Sequence, residues 1–135
     1  MATEFLNVDL DLESRKSLEP LLGEWGDQVH VLYHGPSDEK TNLLALEVYE
    51  GDDEDPDSII NAFCRLIESL SPRGRAAWDN CSMRRFDIGF ESGVSGRPLY
   101  VDLDSKTLKR VSDLSGTIGV TIYPKKMGEK KKKPE

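Results

Sequence analysis

Residues 5–13 read FLNVDLDLE, and the alternation within them decides the fold class. Leu6, Val8, Leu10 and Leu12 fall on one side of an extended chain, and Asn7, Asp9, Asp11 and Glu13 fall on the other. A period of two with one apolar and one charged side marks a strand in a sheet covered on a single face. Five more segments repeat the pattern: Val29, Val31 and Tyr33 in QVHVLYH (28–34), Leu44, Leu46 and Val48 in NLLALEVYE (42–50), Phe86, Ile88 and Phe90 in RFDIGFES (85–92), Leu99, Val101 and Leu103 in PLYVDLD (98–104), and Ile118, Val120 and Ile122 in TIGVTIYP (117–124). A doubly wound parallel sheet would need unbroken apolar runs instead.

Helices supply the cover. In PDSIINAFCRLIESL (56–70), Ile59, Ile60, Phe63, Leu66, Ile67 and Leu70 form one stripe on a 3.6-residue period. Ser71-Pro72 reads as a fresh cap opening a short helix through Trp78. Ser17 is expected to cap a helix carrying Leu18, Leu21 and Leu22, with Pro20 in its first turn and a stop by Gly26. Asp104 or Ser105 is expected to open a last helix with Leu108, Val111 and Leu114 inward, closed by Gly116. The expectation is therefore a single α+β domain over residues 1–124: one mixed, largely antiparallel sheet of about six strands, helices mainly on one face, order βαββααββαβ. Residues 125–135 form a separate Lys-rich tail, expected to be flexible because it offers nothing apolar to bury.

The formal charge of −7 understates the acidity of the body. From Pro124 to Glu135 there are six Lys and two Glu, a net of +4, which leaves −11 on residues 1–123. Such a body repels nucleic-acid phosphates and attracts basic surfaces. No apolar run approaches the roughly 20 residues of a membrane span, no signal peptide opens the chain, and Cys64 and Cys81 have no CxxC spacing. Those features predict a cytoplasmic protein with reduced thiols, no nucleic-acid partner and no membrane association.

Six carboxylates crowd the eight positions from Glu50 to Asp57. An EF-hand loop counted from Asp52 would need Gly at position six and Glu at position twelve, where this chain has Asp57 and Phe63. Helix initiation explains the run more simply: Asp55 as N-cap, Pro56 at the first helical position, Asp57 in the first turn. His30 and His34, the two histidines, would share a strand face about 13 Å apart, too far to chelate one ion. SGVSGRP (92–98) lacks the GxSxG setting and reads as a hairpin loop, and neither GxGxxG nor a P-loop lysine occurs. No metal site, cofactor or catalytic residue is expected.

The remaining candidate is the uncovered face of the sheet. Asp9, Asp11 and Glu13 form a carboxylate row spaced about 7 Å apart, and Asp87, Glu91 and Asp102 should point the same way, as should Glu47. Gly89 and Gly119 interrupt strands on that face, where glycine marks a bulge or a close approach. Tyr49, Tyr100 and Tyr123 could anchor a partner there. The candidate binding residues are thus Asp9, Asp11, Glu13, Asp87, Glu91, Tyr100 and Asp102. The plain alternative is a solvated acidic face, since a one-sided sheet must put polar residues somewhere.

With these segments in hand, the chain resembles an uncharacterised family of small bacterial α+β proteins. The resemblance rests on AFCRLIESLSPRGRAAWDNCSMRRFDIGFESG (62–93), on LSGTIGVTIYP (114–124) and on the opening VDLDLES (8–14). The layout is also similar to bacterial immunity-type proteins, which neutralise toxins by binding them. The family implies no activity and supplies no catalytic residues. The expected function is non-enzymatic binding of a basic protein partner through an acidic sheet surface. A divalent-cation-dependent enzyme built on the open-face carboxylates, or a domain that only pairs with itself, are the alternatives.

Overall fold

The computed structural model describes residues 2–48, 55–94 and 96–125. Strand β1 (Glu4–Ser14) is followed by helix α1 (Glu19–Trp25), a single 3-10 turn (Gly26–Gln28), and strands β2 (Val29–Pro36) and β3 (Asn42–Val48). Helices α2 (Pro56–Glu68) and α3 (Pro72–Asp79), strand β4 (Met83–Glu91), helix α4 (Ser105–Asp113) and strand β5 (Thr117–Tyr123) follow among the described residues. The five strands form one mixed sheet in the order β2-β3-β1-β4-β5, antiparallel except for the β4/β5 pair.

Val8, Leu10 and Leu12 of β1, Leu44 and Leu46 of β3, and Phe86 and Ile88 of β4 lie on one face and are buried. Against them pack Leu18, Leu21 and Trp25 around α1, Ile60, Phe63 and Ile67 of α2, Trp78 of α3 and Val111 of α4. All four helices therefore cover the same face. Each large side chain buried this way contributes about 1.5–3 kcal/mol. Two indole N–H groups tie helices to neighbouring backbone: Trp25 Nε1 donates to Leu66 O at 3.1 Å and Trp78 Nε1 to Leu114 O at 3.0 Å.

The helix starts follow their caps. The Asp55 carboxylate accepts from Ser58 N at 3.2 Å, with Pro56 next, so the described end of the acidic run opens α2 as its residue types require. Glu50–Glu54 lie outside the described residues. Asp57 serves twice more, accepting from Asp104 N at 2.9 Å just before α4 and from Asn61 Nδ2 within α2. Ser71 caps α3 by accepting from Gly74 N. For α1 the N-cap is Leu18, one position after the expected Ser17, whose Oγ accepts from Glu19 N.

Several expectations are corrected. Among the described residues the sheet has five strands, because residues 97–104 form no ladder. Since β4 and β5 are parallel, the chain must travel back from one end of the sheet to the other, and residues 97–104 with α4 are that crossover. Leu103 packs against the core from it, which is what the alternation Leu99/Val101/Leu103 partly reflects. The expected hairpin at 92–98 therefore does not exist. On α4 the inward position is taken by Thr107, whose Oγ1 accepts from Asn61 Nδ2 at 2.7 Å, while Leu108 is 46% exposed. The left-handed residue ending α4 is Ser115 (φ 60°), not Gly116. Gly116 is required for another reason: a Cβ there would sit 2.7 Å from Phe86 Cε1 and 3.1 Å from Val111 Cγ1.

Two bulges shift faces. One between Phe5 and Asn7 places Phe5 opposite Phe90 and leaves Leu6 exposed, against the expected row. The other, between Val31 and Tyr33, moves Tyr33 to the face of Ala45, so that it no longer shares a side with Val29 and Val31. It also puts His30 opposite Glu47 and His34 opposite Leu44, on opposite faces rather than one.

Cys64 and Cys81 are buried free thiols, and burial pushes both up to about 11. Neither forms thiolate near neutral pH. In the native protein neither should react with a disulfide-exchange reagent over minutes, and both should titrate once denaturant is added; a thiol labelled at the native state would contradict this packing.

Candidate functional site

The face opposite the helices is built by the odd-numbered residues of β1 and by their neighbours. Asn7, Asp9, Asp11 and Glu13 of β1 stand opposite Gly89, Asp87, Arg85 and Met83 of β4. Gly119, Thr121 and Tyr123 of β5 pair in turn with Asp87, Gly89 and Glu91. From β3, Glu47 joins the group, and Asn7 Nδ2 bridges it to Asp9 by donating to Glu47 Oε2 and, at 2.9 Å, to Asp9 Oδ1.

The centre of this face is an imbalance of charge. Asp9 and Asp87 are directly opposed across the β1/β4 ladder, an arrangement that like charges disfavour. Asp11 and Glu47 flank them, and Arg85 supplies the cation, its guanidinium NH2 lying 3.2 Å from Asp87 Oδ1. Thr121 Oγ1 donates to the same carboxylate, 2.8 Å from Oδ1 and 3.0 Å from Oδ2. With its partners on β4 and β5, Asp87 is buried, although no helix covers it. Asp9 accepts from Asn7 Nδ2 but has no cation beside it among the described residues. Partial burial, then Asp11, Glu47 and Asp87, push its carboxyl up to about 7. Asp11 is raised as well, by burial and Asp87, with Arg85 opposing.

Both strand glycines are explained by this chain's own side chains. A Cβ on Gly119 would sit 2.2 Å from Arg85 Nε and 2.6 Å from its Cζ, so the bare backbone is the floor on which the Arg85 guanidinium lies. Nε is buried there with no hydrogen-bond partner among the described residues. A Cβ on Gly89 would meet Asn7 Oδ1 at 3.1 Å. Neither gap awaits an external backbone. Gly119→Ala is expected to expel Arg85 from Asp87 and, by removing the one cation that opposes the shift, raise the Asp11 carboxyl further, read as an upward shift of its side-chain carbonyl titration by NMR. A titration that matches the parent would refute that role for Gly119.

Of the seven candidate residues, the structure brings together Asp9, Asp11 and Asp87. Glu13 and Glu91 share the face but sit towards opposite ends of it, opposite Met83 and Glu4 respectively. Tyr100 and Asp102 are corrected: both lie in the 97–104 crossover, on no strand, and Tyr100 is 83% exposed. Tyr49 lies outside the described residues. Asn7, Arg85 and Thr121 complete the cluster and were not among the candidates. The β4 alternation Arg85/Asp87/Gly89/Glu91 already carries Arg85 onto this face. The basic pair at 84–85 divides its work: Arg84 donates to Trp78 O, Cys81 O and Ser115 O and fastens the ends of α3 and α4.

Chemically, Asp9 can hold or release a proton near neutrality. Among the described residues no group of three or more Asp, Glu, His or Cys could hold a metal ion. A cavity of about 410 Å³ lies away from this cluster, beside Asp27, Ala62, Arg65 and Ser69. No described helix is long and apolar enough to cross a membrane. Fold and site together define an α+β protein with one mixed sheet, helices on one side and a carboxylate cluster on the other. Comparison with protein-family models, with curated proteins and with solved structures finds no match.

Proposed function

We propose that this is a non-enzymatic binding protein whose open sheet face engages a basic protein partner. One observation carries the reading: Asp9, Asp11, Glu47 and Asp87 share a small area with Arg85, and partial burial together with this excess of negative charge raises the Asp9 carboxyl to about 7. A lysine or arginine from a partner would return Asp9 to its ionised form and gain from each neighbouring carboxylate. Tyr33, exposed on the β2 edge strand and on this same face, offers apolar contact beside the charge. Buried reduced thiols suit a cytoplasmic setting. Pairing of two open faces is disfavoured by the same charge.

A fluorescent Lys/Arg-rich peptide tests this. The wild-type chain should bind it in low salt, more weakly as salt rises. Replacing Asp9 and Asp11 together by Asn should weaken binding at least tenfold without lowering the melting temperature. Equal binding by the double variant would sink the reading. A second reading, a divalent-cation-dependent enzyme using these carboxylates, rests on the Asp9 proton alone, because the described carboxylates assemble no set of three or more ligands. It requires millimolar Mg²⁺, Mn²⁺ or Ca²⁺ to raise the melting temperature through native-state binding, and an unmoved transition would dispose of it.

A further inference from the structure

Edge strands expose unpaired backbone N–H and C=O groups, and proteins blunt them with charges, proline or bulges. The β2 edge follows that rule, with a bulge after Val31, His30 and His34 along it, and Pro36 at its end. The β5 edge does not. Thr117–Tyr123 reads TIGVTIY, without a charge or a proline, and its ladder with β4 runs from Thr117 to Tyr123 without a register shift. Val120 and Ile122 are 54% and 62% exposed on the helix-side face, and with Phe90, Pro98 and Leu99 they line a mostly apolar groove of about 260 Å³, to which Thr3 and Arg97 also contribute.

We propose that β5 is the interface of a homodimer, pairing antiparallel with β5 of a second copy about a twofold axis through Val120. The strand is self-complementary in that register. Ile118 meets Ile122 of the other copy, Val120 meets Val120, Gly119 meets Thr121, and Thr117 meets Tyr123. Three apolar rows then continue across the junction on the helix side, and on the open side Gly119 faces Thr121 at the centre with Tyr123 over Thr117 at either end. Charge selects the same place. A body carrying −11 repels its own copy wherever carboxylates meet, and β5 offers seven consecutive uncharged residues at an edge. The exposed apolar area of Val120, Ile122, Tyr123, Leu99 and Tyr100 is on the order of 500 Å² per copy, about 1,000 Å² in the pair, at the threshold for a stable interface. The backbone hydrogen bonds between the strands add to it.

The twofold axis stands perpendicular to the sheet, so both helical layers fall on one side and both carboxylate clusters on the other. Five strand spacings separate the two β1 strands, about 24 Å. The dimer does not depend on what the acidic face binds, and it presents that face twice, ready for bivalent engagement.

Light scattering on the full chain should show a mass that rises with concentration from 15.2 kDa towards twice that value. Val120→Lys should hold the chain at monomer mass with little change in melting temperature, because Val120 is exposed. Val31→Lys, the same charge on the other edge, should leave the dimer intact. Under mild oxidation Val120→Cys should cross-link to itself at the axis, whereas Thr117→Cys, about 20 Å from its own copy, should not. A wild-type chain that stays monomeric, or a Val120→Lys variant that still dimerises, overturns the proposal. A Val120→Cys chain that fails to cross-link overturns its register.

Discussion

Asp9→Asn is expected to raise the melting temperature at pH 8 by roughly 3–8 °C, an effect of about 1–2 kcal/mol after allowing for screening by water. Most substitutions destabilise, so the sign alone is diagnostic. The folded protein holds a proton on Asp9 up to about pH 7, whereas the unfolded chain releases it near 3.8. Between those values the native state binds more protons than the unfolded one, so stability falls as pH rises through that window. Asp11 is raised too and adds to the same slope. Glu47, Asp87, Arg85, Asn7 and Thr121 complete the environment, and asparagine at position 9 keeps an acceptor for Asn7. The parent should lose melting temperature between pH 5 and pH 8, and Asp9→Asn should flatten that decline. A variant less stable than the parent at pH 8 would show that the carboxylates are compensated after all.

Trp78→Ala should have the opposite and larger effect, about 3–5 kcal/mol of destabilisation. The indole is fully buried between the sheet and the helices, and its N–H holds Leu114 O where α4 turns into β5. Losing it removes both the packing and the tie that seats β5 beside β4. Because Gly119 and Thr121 arrive on β5, the shield around Asp87 should loosen with it. Trp78→Phe separates the two contributions: it retains most of the volume and forfeits the hydrogen bond, at a cost of about 1 kcal/mol. Denaturant midpoints of the two variants measure this, and equal midpoints would mean that the indole ring contributes little beyond its hydrogen bond.

How much of this was legible beforehand is clearest in β1 and in the 97–104 segment. Both alternate, yet β1 is the central strand and 97–104 is a crossover. A period of two reports which side chains seek the core; it does not report whether the backbone between them finds a ladder partner. The same limit applied to Tyr33 and to His30 and His34. One bulged residue in β2 exchanged their faces, and a bulge depends on how two strands meet rather than on local composition. Helix starts were more accessible, since Asp55-Pro56 and Ser71-Pro72 act within a single turn. The candidate site was half visible. Asp9, Asp11 and Asp87 could be placed on one side, but their convergence required β1 and β4, more than seventy residues apart, to be neighbours.

Residue order alone determined the class of this protein: alternating and 3.6-residue apolar patterns commit the chain to one sheet with one covered face, because burying those rows outweighs any arrangement that exposes them. Only the tertiary structure decided which carboxylates oppose one another, that Arg85 lies over Gly119, and that an uncharged strand ends the sheet. Those outcomes depend on strand order and register, which are set by contacts between distant segments competing for the same core.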